Sequence, residues 1–183
     1  MPSSSSAPLV VRNATRDGAQ IELRAVDGVI THLDETVETQ PGDELLDARG
    51  MELTEGLVNG HGHSAMTLLR GQGSDLQLQE WLRDVIWPAE ARIDEEAVSW
   101  GAKLAIIEML RSGTTAFFYM YFYPAAVARA ARELGIRAAV GAPIFDHGDP
   151  GNLPDIQRAS LESLDELADA GPLITPCLNP HAI

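Results

Sequence analysis

The chain has 183 residues and 45% hydrophobic content, enough to bury a substantial core and to argue against disorder. Its formal net charge is −14, with Lys103 the only lysine, and such a surface repels nucleic acid and anionic lipid. No apolar run approaches the roughly 20 residues that cross a bilayer, and the single cysteine, Cys177, excludes an internal disulfide framework and suits a reducing cytoplasm.

Residues 1–7 read as a disordered serine-rich tail without the basic and apolar regions of a secretory signal. Residues 8–54 alternate apolar and polar side chains in "LVVRNA", "QIELRAVDGVITHLDE" and "ELLDARGMEL", around turn signals at Asp27-Gly28 and Pro41-Gly42. They predict an antiparallel segment with one buried face, in which His32 is an ordinary exposed strand residue. From residue 55 the pattern changes. "GLVNGH" predicts a short, fully buried strand. A long connection then leads to a helix with Asp94 as N-cap, Glu95 and Glu96 in its first turn, Val98, Ala102, Ala105 and Met109 on its apolar face, and Gly113 as its stop. The strand-like "TTAFFYMYF" follows. Pro124 opens a second helix that carries Val127, Ala131 and Leu134 on one side and stops at Gly135. A strand in "IRAAVGAPIF", a helix in "PDIQRASLESLDELADAG" and a strand in "PLITPCLNPH" complete the series.

Strand and helix alternate from residue 56 onward, the signature of a parallel α/β sheet, shared by doubly wound folds and eight-fold barrels. A complete barrel takes about 250 residues and eight strands, so residues 55–183 would hold the first half of one.

The chemistry centres on "GLVNGHGHSAMTLLRG", residues 56–71. If the strand continues through it, His61 and His63 project from the same face at the strand's C-terminal end, where parallel barrels gather their catalytic groups. Two neutral imidazoles there make part of a divalent-metal site, since catalytic zinc commonly takes about three protein ligands and a water. An H-x-H pair taken alone more often marks a turn or a surface patch; the position at the end of an apolar strand is what favours a metal. Other schemes are absent: there is no H-E-x-x-H, no H-x-E with P-C-x-x-C, no phosphate-binding glycine loop and no nucleophile motif.

In "GLVNGHGHSAMTLLRG", and in order through "LQEWLRDVIWPAEARI", "LAIIEMLRSGTTAFFYMYF", "ARELGIRAAVG" and "NPHAI", the sequence resembles the amidohydrolase superfamily. It looks nearest to the branch of S-adenosylhomocysteine and methylthioadenosine deaminases and their chlorohydrolase relatives. The resemblance implies a metal-dependent (β/α)8 barrel, preceded by N-terminal strands of a small β-sandwich over residues 8–54. It implies that His61 and His63 are metal ligands, that Glu90 holds ribose hydroxyls, and that His181 contacts the substrate base, with Trp87 lining the pocket. One divalent ion is expected, zinc before iron or manganese. The implied reaction is hydrolysis of an exocyclic amino group on a purine nucleoside by metal-activated water. Chlorohydrolase or guanine- or cytosine-type deaminase activity, or a non-catalytic half-barrel that binds a partner, are the alternatives. Three departures stand out: Glu55 where relatives carry proline, Tyr119 where they carry aspartate, and the chain's end at Ile183, before the further ligands and the general acid/base that the family draws from later strands. No catalytic residue is therefore expected among the 183, and the isolated chain is expected to be an inactive fragment that self-associates or binds a missing C-terminal half. His147 is not expected to be catalytic, and Arg70 and Arg137 are read as structural. The acidic, lysine-poor surface further predicts a protein adapted to a salt-rich cytoplasm.

Overall fold

The structure, a computed structural model, describes residues 7–145, 151 and 153–182. His147 and all of the expected tail except Ala7 lie outside the described residues. The chain divides into two compact units, Met1–Glu55 and Gly56–Ile183.

The first unit is a four-stranded sheet in the order β3-β2-β1-β4, built from β1 (Leu9–Arg16), β2 (Ala19–Val26), β3 (Val29–Asp34) and β4 (Glu44–Asp47). Tight turns join the first three strands antiparallel, and Asp27 and Gly28 both take positive φ, 49° and 77°, as a turn between twisted strands demands. Val11, Ala14, Leu23 and Ala48 form its small core. His32 lies exposed on β3. The expected all-antiparallel pairing is corrected at the last strand, because β4 runs parallel to β1. A polarity alternation reports which face is buried but not which way a neighbour runs, so the error has a physical source. The returning segment is held by buried polar groups: Glu22 accepts a bond from the Val37 backbone N–H at 2.9 Å. Arg24 donates through Nε and Nη2 to Asp43 at 3.0 and 2.8 Å. Glu55 pairs with Arg16 at 2.5 Å. No Phe, Trp or Tyr occurs in this unit.

The second unit is built on a parallel sheet in the order β5-β6-β7-β9, from β5 (Leu57–Asn59), β6 (Thr114–Met120), β7 (Arg137–Gly141) and β9 (Ile174–Pro176). Two further short strands, β8 (Pro143–Phe145) and β10 (Asn179–Ala182), pair parallel to one another. An α/β fold is thus present, and the alternation read from the sequence is the alternation observed. Two expectations at its start are corrected. The first strand is three residues long and exposed, with Leu57 at 62% and Val58 at 71% accessibility, so it is an edge and not a buried centre. It also stops before the histidines, because Asn59 Oδ1 accepts the His61 backbone N–H at 3.3 Å and turns the chain at Gly60.

The long connection holds structure that polarity did not reveal. A 3-10 segment spans Ser64–Leu69, and α1 (Leu78–Trp81) runs through a π turn at Leu82–Ile86 into α2 (Trp87–Glu90). Then α3 (Glu95–Arg111) starts where expected: Asp94 accepts the Ala97 N–H at 2.9 Å, which satisfies one of the donors a helix start leaves open. α4 (Pro124–Leu134) ends at Gly135, with φ of 77°, and α5 (Leu153–Leu167) precedes β9. The core lies between helices and sheet: Val98, Ala102 and Ile106 of α3 and Val127, Ala130 and Ala131 of α4 pack with Phe117, Tyr119, Ala138 and Val140 of the strands.

Candidate metal and nucleoside site

All four strands of the main sheet end on one side, and the residues that follow those ends meet there. His61 and His63 come from the turn after β5. Their ring centroids lie 5.1 Å apart with planes at 80°, so the imidazoles converge although neither sits on a strand. His63 is the centre of the cluster, 6.3 Å from the His181 ring and 5.8 Å from the Tyr121 ring by centroids.

The His63 ring is held by a main-chain bond. Its Nδ1 lies 2.6 Å from the carbonyl oxygen of Met120, at the end of β6. A carbonyl only accepts, so Nδ1 carries the proton and Nε2 of the neutral ring keeps its lone pair. This is the arrangement by which outer partners orient metal-binding histidines, and the donor set therefore fits a divalent ion. The fit is partial. Among the described residues, no group of three or more His, Cys, Asp or Glu is placed to hold a metal, so His61 and His63 would supply only some of its ligands.

Tyr119 stands where the resemblance implies an aspartate, and its hydroxyl is taken up by the main chain. It is fully buried, and its hydroxyl donates to the Phe122 carbonyl at 2.7 Å. Burial raises its pKa.

Glu90 reaches the cluster through a residue the sequence did not single out. The hydroxyl of Tyr121, a residue 5% accessible, donates to Glu90 Oε1 at 2.7 Å. Burial first, then the bond to Glu90 and its negative charge, push the Tyr121 pKa up, so the phenol remains a donor. Tyr121 is invisible to local patterning because its partner is 31 positions away. Trp87 begins the short helix that Glu90 ends, but it is 54% accessible and, among the described residues, makes no ring contact with the cluster. Arg70 is engaged elsewhere, in a two-pronged pair with Glu108 at 3.0 and 2.6 Å, and Arg137 lies exposed on β7.

His181 is placed by a second buried network. Asn179, 1% accessible, donates through Nδ2 to the carbonyls of Tyr119 at 3.0 Å and Gly141 at 2.7 Å, and its Oδ1 lies 3.3 Å from the Cys177 thiol. One amide thus ties the ends of β6 and β7 to the segment that carries His181. The approach needs Gly141, where a Cβ would meet the Cys177 carbonyl oxygen at 1.9 Å. No feature of the local sequence announces either residue.

Residues 53–182 match the Amidohydrolase family. The chain belongs to the amidohydrolase family. Within this family it is 45% identical over 141 residues to 5-methylthioadenosine/S-adenosylhomocysteine deaminase 1 of Archaeoglobus fulgidus, covering 77% of this chain and 33% of that protein. It is 48% identical over 183 residues to 5-methylthioadenosine/S-adenosylhomocysteine deaminase 2 of the same organism, covering 95% of this chain and 42% of that protein. Among solved structures it is similar to an adenosine deaminase from Xanthomonas campestris with bound zinc, with a TM-score of 0.81 and 34% identity over 94% of this chain and 42% of that one. The amidohydrolase chain therefore spans between a third and about two fifths of the length of these relatives.

Proposed function

We propose that this chain is the N-terminal part of a metal-dependent purine nucleoside deaminase, which replaces an exocyclic amino group by oxygen with release of ammonia. The substrate class is that of adenosine, methylthioadenosine and S-adenosylhomocysteine, as the names of the 45–48% identical relatives suggest. The observation that carries the reading is the meeting of the His61 and His63 rings, with His63 Nε2 left free, beside the Tyr121–Glu90 pair and His181.

Residues 55–183 are read as the first half of a (β/α)8 barrel and residues 8–54 as N-terminal strands of a small β-sandwich. Two features support the barrel over a doubly wound sheet. The strands lie in chain order without the reversal that doubly wound sheets show, and α3 and α4 pack together on the Phe117, Tyr119 and Val140 face. The opposite face leaves an open groove along Val58, Ala116, Phe118 and Ala139. Parallel sheets are ordinarily covered on both faces, so further strands and their side chains would close it.

In this reading His61 and His63 hold one divalent ion, zinc before iron or manganese, which supplies Lewis acidity toward water. Glu90 accepts hydrogen bonds from the sugar hydroxyls, since an ionised carboxylate offers acceptor sites only. His181 lies against the base, and Trp87 lines the outer pocket wall. The remaining ligands and the proton-transfer group would come from later strands, for which the greater length of the relatives leaves room. The substrate is then a small nucleoside, with neither nucleic acid nor membrane as partner. Among the described residues no helix is long and apolar enough to cross a membrane. The open groove and the exposed β5 edge invite self-association or a completing segment, and the lone cysteine favours the cytoplasm as location.

The test is metal analysis together with ammonia release from a nucleoside panel, on the 183-residue chain and on a polypeptide extended to the relatives' length. The extended protein is expected to hold about one equivalent of metal and to deaminate adenosine-type nucleosides, and the 183-residue chain to release no ammonia. An extended, metal-loaded protein inert toward every adenosine-type nucleoside overturns the proposal.

A further inference from the structure

We infer that Tyr121 is a positioning residue, which sets the spacing between the metal-binding imidazoles and the carboxylate that reads the substrate's sugar; this rests on the nucleoside reading above. The residue touches both halves of the site. Its ring lies 5.8 Å from the His63 ring and 4.7 Å from that of Phe122, and its hydroxyl donates to Glu90 Oε1 at 2.7 Å. It follows directly on β6, whose last residue, Met120, supplies the carbonyl that holds His63 Nδ1. One short piece of backbone thus fixes the imidazole, and the adjoining side chain fixes the carboxylate.

Glu90 needs such a partner. It is half-buried at the end of a four-residue helix that follows a π turn, and three side-chain torsions separate its carboxylate from the backbone. Left alone, it would pay the conformational cost of ordering each time a ligand arrived. The Tyr121 hydroxyl pins Oε1, leaving Oε2 and a remaining lone pair of Oε1 to accept from two neighbouring hydroxyls. The ligand chemistry this selects is a vicinal cis-diol at a set distance from the metal. A sugar without hydroxyls would leave a fixed, charged oxygen without a partner, which sites built to hydrogen-bond a hydroxyl reject strongly.

The experiment compares the kcat/KM for deamination of adenosine and of 2′,3′-dideoxyadenosine by the polypeptide extended to the relatives' length, with zinc content measured on the same samples. The unsubstituted protein is expected to prefer adenosine by about tenfold or more, the range of one to two hydrogen bonds to a charged group. Glu90→Gln should abolish the preference. Tyr121→Phe, which keeps the ring against His63 but releases Glu90, should cut it to about threefold or less while zinc content stays as before. Should Tyr121→Phe fail to fold, Glu90→Asp carries the test, because it keeps the charge but draws it one methylene back from the hydroxyl; the same selective loss is expected. Full preference in Tyr121→Phe, or in Glu90→Asp, with loss in Glu90→Gln overturns the positioning role and leaves the nucleoside reading standing. Equal loss of zinc content and of preference marks Tyr121 as general support and overturns it too. Deamination of neither nucleoside by the unsubstituted protein defeats the nucleoside reading, and this inference with it, whereas equal deamination of both overturns this inference alone.

Discussion

Asp43 and Arg24 show how a single pair of side chains can hold a strand in place. Asp43 accepts two bonds from the Arg24 guanidinium and one from the Gln40 N–H at 2.8 Å, and the carboxylate is nearly inaccessible. The Arg24 bond first, then the Gln40 N–H and the arginine's charge, hold its pKa below the ordinary aspartate range against the opposing effect of burial. A carboxyl whose folded pKa is depressed stabilises the fold above its unfolded pKa, and loses that contribution as pH falls through the folded value. Asp43→Asn is therefore expected to destabilise the first unit at neutral pH, by a margin that shrinks as the solution is acidified below the usual aspartate range. Urea unfolding of both proteins followed by far-ultraviolet circular dichroism from pH 7 to pH 3 checks this, and a pH-independent difference contradicts it. At this scale the sequence was readable for Asp94, whose capping bond follows from local spacing, and for the convergence of the His61 and His63 rings. It was unreadable for Tyr121, Asn179 and the Arg24–Asp43 pair, because each acts through a partner that only the fold brings near.

At the scale of elements, capping and stop signals outperformed periodicity. Asp94, Pro124, Gly113 and Gly135 mark real helix limits because each answers a fixed backbone need. Period-two reasoning carried β5 too far, since the Asn59 side chain competes with strand pairing and turns the chain. The segment from Leu78 to Glu90 escaped notice because its helices are four residues each and Pro88 sits among them. The join between β7 and β9–β10 yields a sharper expectation. A methyl group at position 141 would collide with the Cys177 carbonyl and crowd the Asn179 amide. Gly141→Ala is thus expected to cost about 1–3 kcal/mol, the usual range for overpacking a well-filled interior. Urea midpoints by tryptophan fluorescence measure it, and histidine NMR signals should show His181 displaced from His63. An unchanged midpoint would mean that the strand ends are looser than the Asn179 network implies.

For the whole molecule, charge and the open sheet face dominate. With a net charge of −14, self-repulsion opposes the compact state and is screened by added ions. Thermal unfolding in a potassium chloride series is expected to shift upward from low to molar salt, and greater stability at low salt would reject the idea of salt adaptation. The alternation of strands and helices was legible because it depends on local composition. The open Val58–Phe118 groove was foreseeable only as a count of strands, since no residue in it announces what would cover it.

The distribution of aromatic residues gives the two units separate optical identities. Every Trp, Tyr and Phe falls after residue 55, so absorbance near 280 nm, intrinsic emission and near-ultraviolet dichroism all observe the second unit. The amino-terminal sheet is silent to these probes and speaks only through its peptide bonds. Any mismatch between an emission melt and a peptide-band melt would therefore time the two halves separately, with no label attached.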